Sequence, residues 1–374
     1  MRLTLSLSES PDRTAVERAV SELRMGRPVL VECEEDSALV QSVEDLDRAR
    51  ADRLDAISVR QGRLVLPAAR LKRLGLERPH NGSIALPRLD PDRIATLAFV
   101  IDARLDAPVR RATPLDEAAL ELARLALALP AVVVMPLSGH VAVDETVLRV
   151  TGADLAGYRA GRVGDLHIVG RAPVPLEDAP ETEFVVFRGG EGLRDQVAVI
   201  VGRPDLAAPV TVRLHSACLT GDLFGSLKCD CGDQLRGSVR YMAENGGGIL
   251  LYLDQEGRGN GIANKIRAYK LQAEGYDTYD ADEMLGFGPD QRRFDFAAEM
   301  LRQLGVSQVR LITNNPDKID ALRGAGLDVV SHERAPGRIT PENLRYLTSK
   351  RDRAGHLLMQ LDEQAGSGQA RGEA

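Results

Sequence analysis

Between residues 210 and 323 short apolar runs alternate with amphipathic stretches, and that alternation limits the fold more than any other feature of the chain. Residues 210–214, 249–253 and 309–313 read as strands, and 234–244, 264–274, 292–304 and 317–323 as helices. In the first of these helices Leu235, Val239 and Met242 recur at spacings of four and three, which places them on one buried face, and Gly246-Gly247-Gly248 stops it. Strands and helices in turn predict helices packed on a sheet, an α/β fold of mixed sheets covered by helices.

The chain has 374 residues, a length that suits two domains with a core each. The first part opens with a helix-like stretch at 15–25, a stop at Gly26 and an apolar strand at 28–31. Thr113 as a cap, Pro114 at the first helical position and the acids Asp116 and Glu117 start a helix through 118–129, followed by a strand at 131–135. Residues 171–183 carry three prolines and four acids with no periodicity, the composition of a linker. The expected organisation is therefore a domain at 1–170, a linker at 171–183, a second domain at 184–360 and a small, polar, disordered tail at 361–374.

With 48 Lys+Arg against 55 Asp+Glu the net charge is −7, so no overall basic excess draws the chain to nucleic acid or acidic lipid. No run approaches the roughly 20 apolar residues that span a bilayer, and the first residues lack the apolar core of a secretion signal. The expectation is a cytoplasmic protein with no membrane and no nucleic-acid partner. In a reducing compartment its four cysteines stay unpaired, yet three of them, Cys218, Cys229 and Cys231, lie within fourteen residues.

Cys229 and Cys231 are two apart, so on extended backbone their sulfurs point to one side and can converge on one ion. Soft thiolates suit Zn²⁺, and a set of three protein ligands leaves a position open for water, as a catalytic site requires. His215 is the nearest candidate for a fourth ligand; Cys33 lies in the other segment and reads as an isolated thiol. Three readings stay open on spacing alone: buried reduced cysteines, a structural zinc and a catalytic zinc.

Asp254-Gln255-Glu256-Gly257-Arg258-Gly259-Asn260-Gly261 follows a strand and precedes a helix, where glycines let backbone N–H groups approach an anion. A flexible polar turn explains it equally well. Lys265, Arg267 and Tyr269 follow at once, and Thr313 to Lys318 forms a second strand-to-helix junction rich in donors. Two such junctions and a metal point to a polyphosphate substrate. Asp290, Arg292 and Arg293 stand at a helix start, where a cap and solvated arginines are the simpler reading.

Together these motifs resemble GTP cyclohydrolase II. Arg-x-His-Ser-x-Cys-Leu-Thr-Gly-Asp, Ser-Leu-Lys-Cys-Asp-Cys-Gly-Asp-Gln-Leu, Gln-Glu-Gly-Arg, Asn-Lys-Ile-Arg-Ala-Tyr, Leu-x-Thr-Asn-Asn-Pro-x-Lys and Gly355-His356-Leu357-Leu358 occur in the family's order, over about residues 183–358. The resemblance implies that Cys218, Cys229 and Cys231 hold a zinc whose bound water attacks C8 of guanine, releasing formate after ring opening. Arg213, Leu214, His215, Ser216, Ala217, Gln234, Glu256, Gly257, Arg258, Thr278, Thr313 and Lys318 match GTP-contacting positions. Asp290 matches the proton acceptor and Tyr269 a position needed for the ring chemistry. Arg292 matches a nucleophile toward the α-phosphorus with pyrophosphate leaving; since a guanidinium is normally protonated, stabilising transition-state charge is its milder role. Mg²⁺ on the triphosphate and a homodimer are also implied.

The implied reaction converts GTP to 2,5-diamino-6-(5-phosphoribosylamino)pyrimidin-4(3H)-one, formate and pyrophosphate at the entry to riboflavin biosynthesis. Alternatives are a relative that retains the formyl group or takes another purine nucleotide, and a GTP-binding regulatory protein. Three departures from the pattern bear on affinity and specificity: Ala217 where Glu is usual, Gln291 where Glu is common, and Asn260 where an aliphatic residue is usual.

The first segment resembles 3,4-dihydroxy-2-butanone-4-phosphate synthase through Glu17-Arg18-Ala19, residues 26–31 and residues 70–76. Where that family carries an acidic, arginine-containing loop this chain reads Glu32-Cys33-Glu34-Glu35-Asp36-Ser37, without the arginine. The later Arg-x-Gly-His-Thr-Glu run is also missing. The segment is therefore expected to be a degenerate, inactive relative that serves assembly, stability or regulation.

Overall fold

The computed structural model describes residues 11–57, 62–137, 144, 146–158, 163–189, 195–288, 292–335 and 337–354. Its sequence elements gather into two compact units. The first takes the described residues up to 158 together with 263–276 and 280–288; the second takes 163–262, 277–279 and 292–354.

The first unit is built on a seven-stranded sheet of β1 (Val29–Cys33), β2 (Asp36–Ser42), β3 (Gly62–Leu66), β4 (Gly82–Leu86), β5 (Val109–Arg111), β6 (Val132–Pro136) and β7 (Arg149–Thr151). Their order is β5-β4-β3-β6-β2-β1-β7, antiparallel except for the parallel β1–β7 pair. Alternate residues go to opposite faces. Val29, Val31, Val40, Val132 and Val134 meet the helices Pro11–Arg24 and Pro114–Leu125 on one side. On the other side Leu30, Leu39, Leu64, Leu66 and Val133 meet Leu97, Ala268, Leu271, Met284 and Phe287. The helices Ile262–Ala273 and Thr278–Met284, expected in the second domain, thus supply core residues to the first unit.

Arg70 belongs to this unit and is buried, which lowers its pKa to about 10. It donates to the carbonyls of Leu97 (2.8 Å), Val100 (2.6 Å) and Met284 (3.1 Å), so one guanidinium satisfies carbonyls at the ends of two helices.

The second unit carries a seven-stranded sheet of β8 (His167–Pro173), β9 (Thr182–Arg188), β10 (Gln196–Val201), β11 (Val210–Ser216), β12 (Gly248–Leu253), β13 (Gln308–Ile312) and β14 (Asp328–Glu333). The order is β14-β13-β11-β12-β10-β9-β8: β11 to β14 pair in parallel, and β8, β9 and β10 continue antiparallel from β12. Both sheets confirm the mixed α/β architecture.

Residues 171–183 are not a linker. Arg171, Ala172 and Pro173 end β8, Leu176 and Ala179 form a bridge, and Thr182 opens β9, with Val174 N donating to Thr182 O at 3.0 Å. The prolines fall at a strand end and in the turn of a hairpin, where no ladder N–H is required. The expected tail at 361–374 lies outside the described residues.

Candidate functional site

On β11 the two-residue period sorts the chain by polarity. Val210, Val212 and Leu214 enter the core beneath the helix Asp295–Gln303, while Arg213 and His215 take the opposite face. On β12, Ile249, Leu251 and Leu253 go to the same core and Leu250 and Tyr252 to the other side. Because β11, β12 and β13 run parallel, the segments that leave them all emerge at one edge of the sheet. Those segments are Ser216-Ala217-Cys218, Asp254-Gln255-Glu256 and Thr313-Asn314-Asn315, and the carboxyl ends of parallel strands are where open α/β sheets bind ligands.

Cys218, Cys229 and Cys231 bring their sulfurs within 4.8 Å of one another, and the Sγ atoms of Cys218 and Cys229 are 3.6 Å apart. A tetrahedral ion with Zn–S bonds of about 2.3 Å sets its sulfurs roughly 3.8 Å apart, so the trio fits such a metal. Hydrogen bonding to Cys218, with burial and its charge, pushes the Cys229 thiol up to about 11, and hydrogen bonding to Cys218 and Cys229, with burial, raises Cys231. Three thiols this close resist ionising together unless a cation holds them. His215 is not part of the converging set: its Nε2 lies 3.0 Å from both carboxylate oxygens of Asp222.

Around the trio the buried polar groups are largely committed to one another. Arg213 donates to Ile312 O at 3.0 Å and to Gln234 Oε1 at 2.5 Å, and Gln234 in turn donates to Asp230, between two of the cysteines. Burial lowers Arg213 to about 10, with Arg292 contributing and Asp230 opposing. Its Nε, the Nδ1 of His215 and the Oδ1 of Asp230 are buried without a partner among the described residues. Burial also lowers the His215 pKa, which keeps the imidazole neutral. Unmet hydrogen-bonding capacity of this kind is what a polar ligand satisfies.

The cations converge. Lys318, only 6% exposed, donates to Leu214 O at 2.6 Å and lies 5.3 Å from the centre of the Phe294 ring; the Arg292 guanidinium lies 5.5 Å from the same ring and reaches Ser216 Oγ at 3.4 Å. Leu214 therefore takes part through its carbonyl, its side chain being core. Arg258 stacks 3.9 Å over Tyr279 and has a left-handed backbone, φ 61°, next to Gly257 at φ 61°. An arginine in that region stores about 1 kcal/mol or more, a cost borne where a site needs the side chain aimed.

Glu256 accepts from Leu219 N at 2.6 Å and from Gly257 N at 3.0 Å, tying the glycine loop to the first cysteine. Ala217 donates its N–H to Leu253 O at 2.8 Å, and Thr313 Oγ1 accepts from Asn315 N at 3.0 Å. Asn315 caps the helix Pro316–Gly324 and Asn314 is held by Ala335, so both asparagines have structural duties at the donor-rich junction. Thr278, in the second unit, opens the helix Thr278–Met284, whose residues from Asp280 onward belong to the first. Tyr269 sits half-buried in the first unit beside Lys265, whose Nζ is 5.6 Å from its ring centre. Asp290, Gln291 and Gly355 to Leu358 lie outside the described residues.

Sequence reasoning passed over Asp222, Tyr252 and Phe294. Asp222 was visible in the Thr-Gly-Asp run, but its role depends on Tyr252 from the adjacent strand, a pairing that only the parallel register creates.

Converging thiols and buried cations at one set of strand ends define an α/β enzyme site with a metal-capable centre. Comparison with known proteins fixes which one. The profile of the GTP cyclohydrolase II family matches residues 167–334. GTP cyclohydrolase-2 of Xylella fastidiosa is 48% identical over 348 residues, covering 91% of this chain and 87% of its own. Riboflavin biosynthesis protein RibBA of Salinispora tropica is 39% identical over 292 residues, covering 74% and 72%. Among solved structures, a two-domain 3,4-dihydroxy-2-butanone 4-phosphate synthase from A. baumannii aligns over 86% of this chain and 99% of its own at 17% identity, with a TM-score of 0.32. The chain belongs to the GTP cyclohydrolase II family, enzymes of riboflavin biosynthesis. No helix among the described residues is long and apolar enough to cross a membrane.

Proposed function

We propose that the protein is a zinc-dependent GTP cyclohydrolase II that converts GTP to 2,5-diamino-6-(5-phosphoribosylamino)pyrimidin-4(3H)-one, formate and pyrophosphate. The observation that carries this reading is the thiol trio beside the unpartnered Arg213 Nε and His215 Nδ1 at the strand ends. Zinc bound by Cys218, Cys229 and Cys231 would supply a water acidic enough to act as a nucleophile at neutral pH. The chain's own groups do the rest. Arg292 and Lys318, gathered on Phe294, suit a triphosphate carrying Mg²⁺, and Arg292 stabilises charge that develops at phosphorus. His215, neutral and buried, offers Nδ1 as an acceptor to the substrate, and Arg213 offers Nε as a donor. Asp290 is the proton acceptor and Tyr269 serves the ring chemistry.

The protein acts in the cytoplasm as a homodimer, and its first unit makes no butanone phosphate. In support, Glu34 and Glu35 form the two-residue turn of the β1–β2 hairpin, where Cys33 pairs with Asp36, and Glu32 lies 3.5 Å from Arg149. These acids follow the geometry of a turn and an ion pair.

The test is to incubate the zinc-loaded protein with GTP and Mg²⁺ and identify products by mass spectrometry with a formate assay. Formate, pyrophosphate and the diaminopyrimidine together are the expected result. GMP and pyrophosphate without formate, a formylated product, or unchanged GTP would each refute the reaction as written.

A further inference from the structure

The side chain of Asp222 is 6% exposed and accepts from three directions. Cys218 N donates to its Oδ2 at 2.9 Å, Tyr252 Oη donates to the same atom at 3.0 Å, and His215 Nε2 lies 3.0 Å from both oxygens. A buried carboxylate met by this many donors is locked in place, because losing one leaves part of its charge unsolvated. Two of its partners are functional: one donor is the backbone of a thiol ligand, and another is the ring of a substrate position.

Tyr252 reaches this carboxylate because of the sheet. It is the register partner of His215 across the β11–β12 pair, and the two rings stack with centroids 5.6 Å apart and planes 14° from parallel. The imidazole is thus clamped by the phenol on its face and by the carboxylate at Nε2. Asp222 closes the short helix Leu219–Asp222, so the same carboxylate also fixes the turn that presents Cys218.

We infer that Asp222, braced by Tyr252, is the positioning residue that sets Cys218 for the metal and His215 for the nucleotide. This rests on the reading of the cysteine trio as a zinc centre. Asp222 acts only through other groups. Asp222→Asn keeps the side-chain shape and removes the charge. With its amide oxygen in the place of Oδ2 it still accepts from Cys218 N and Tyr252 Oη, but its N–H₂ meets His215 Nε2 only if the imidazole moves its proton to Nδ1, which takes that atom away as an acceptor for the nucleotide. Tyr252→Phe keeps the ring stack and removes one donor.

A purely structural role would lower unfolding stability and leave metal affinity unchanged. The deciding experiment therefore measures the zinc dissociation constant of the full chain by competition with a chromophoric chelator, with KM and kcat for GTP beside it. The parent binds one zinc per chain. Asp222→Asn weakens zinc binding roughly 10- to 100-fold and raises KM for GTP, and Tyr252→Phe weakens it by a smaller factor in the same direction. Should Asp222→Asn fail to fold, the Tyr252→Phe value decides. A parent that binds no zinc overturns the zinc reading and this inference with it. A parent that binds zinc, with folded variants that hold it as tightly, overturns this inference alone.

Discussion

At Gly221 the thiol trio dictates the identity of a residue that does no chemistry. A Cβ there would lie 2.7 Å from Cys229 Sγ, 3.0 Å from Cys218 Sγ and 3.1 Å from Cys231 Cβ, so any side chain pushes the sulfurs apart. Gly221→Ala is expected to weaken zinc retention and to lower folding stability by about 1–3 kcal/mol, read by chelator competition and by urea unfolding. Unchanged metal retention would mean that the sulfurs are free to move. The same residue scale shows what a sequence conveys. Cys218, Cys229 and Cys231 announce themselves through chemistry and spacing, whereas Asp222 and Phe294 matter in part through Tyr252 and Lys318, which lie far from them along the chain. A residue whose role is to hold another residue carries no mark of its own.

In the helix Pro114–Leu125 the start is more legible than the end. Thr113 caps the helix Pro114–Leu125 in a full capping box with Asp116, as its local sequence dictates, and Asp116 also pairs with Arg63 at 2.6 Å. Thr113→Ala should cost about 1 kcal/mol in urea denaturation of the full chain, while a loss near zero would show that Asp116 alone secures the start. The end was misread by several residues. Leu127 adopts φ 55° with no glycine to announce the break, so the apolar run from 118 to 129 looks continuous although its last residues leave the helix. At 171–183 prolines masked the reverse case, since a hairpin with its prolines at the turn has the composition of a linker. The strand β12 is legible because a strand buried on both faces is apolar throughout, whereas β11 and β13 show as apolar residues alternating with Arg213 and His215 and with Gln308 and Arg310.

At the scale of the whole molecule, chain order and compact units do not coincide. Ala268, Leu271, Ala281, Met284, Leu285 and Phe287 are buried in the core of the first unit, and Arg73 pairs with Asp280 at 2.7 Å and Glu283 at 2.8 Å. A chain cut near residue 160 exposes these residues, so the truncated protein is expected to aggregate or melt at a lower temperature than the full chain; equal thermal stability would contradict this partition. The claim on which everything else depends is that the cysteine trio holds the metal that opens the ring. Formate release and GTP binding should therefore be measured side by side for the full chain and its Cys229→Ser variant. Loss of formate with GTP still bound is the predicted result. Formate released at the parent rate by the variant would contradict it.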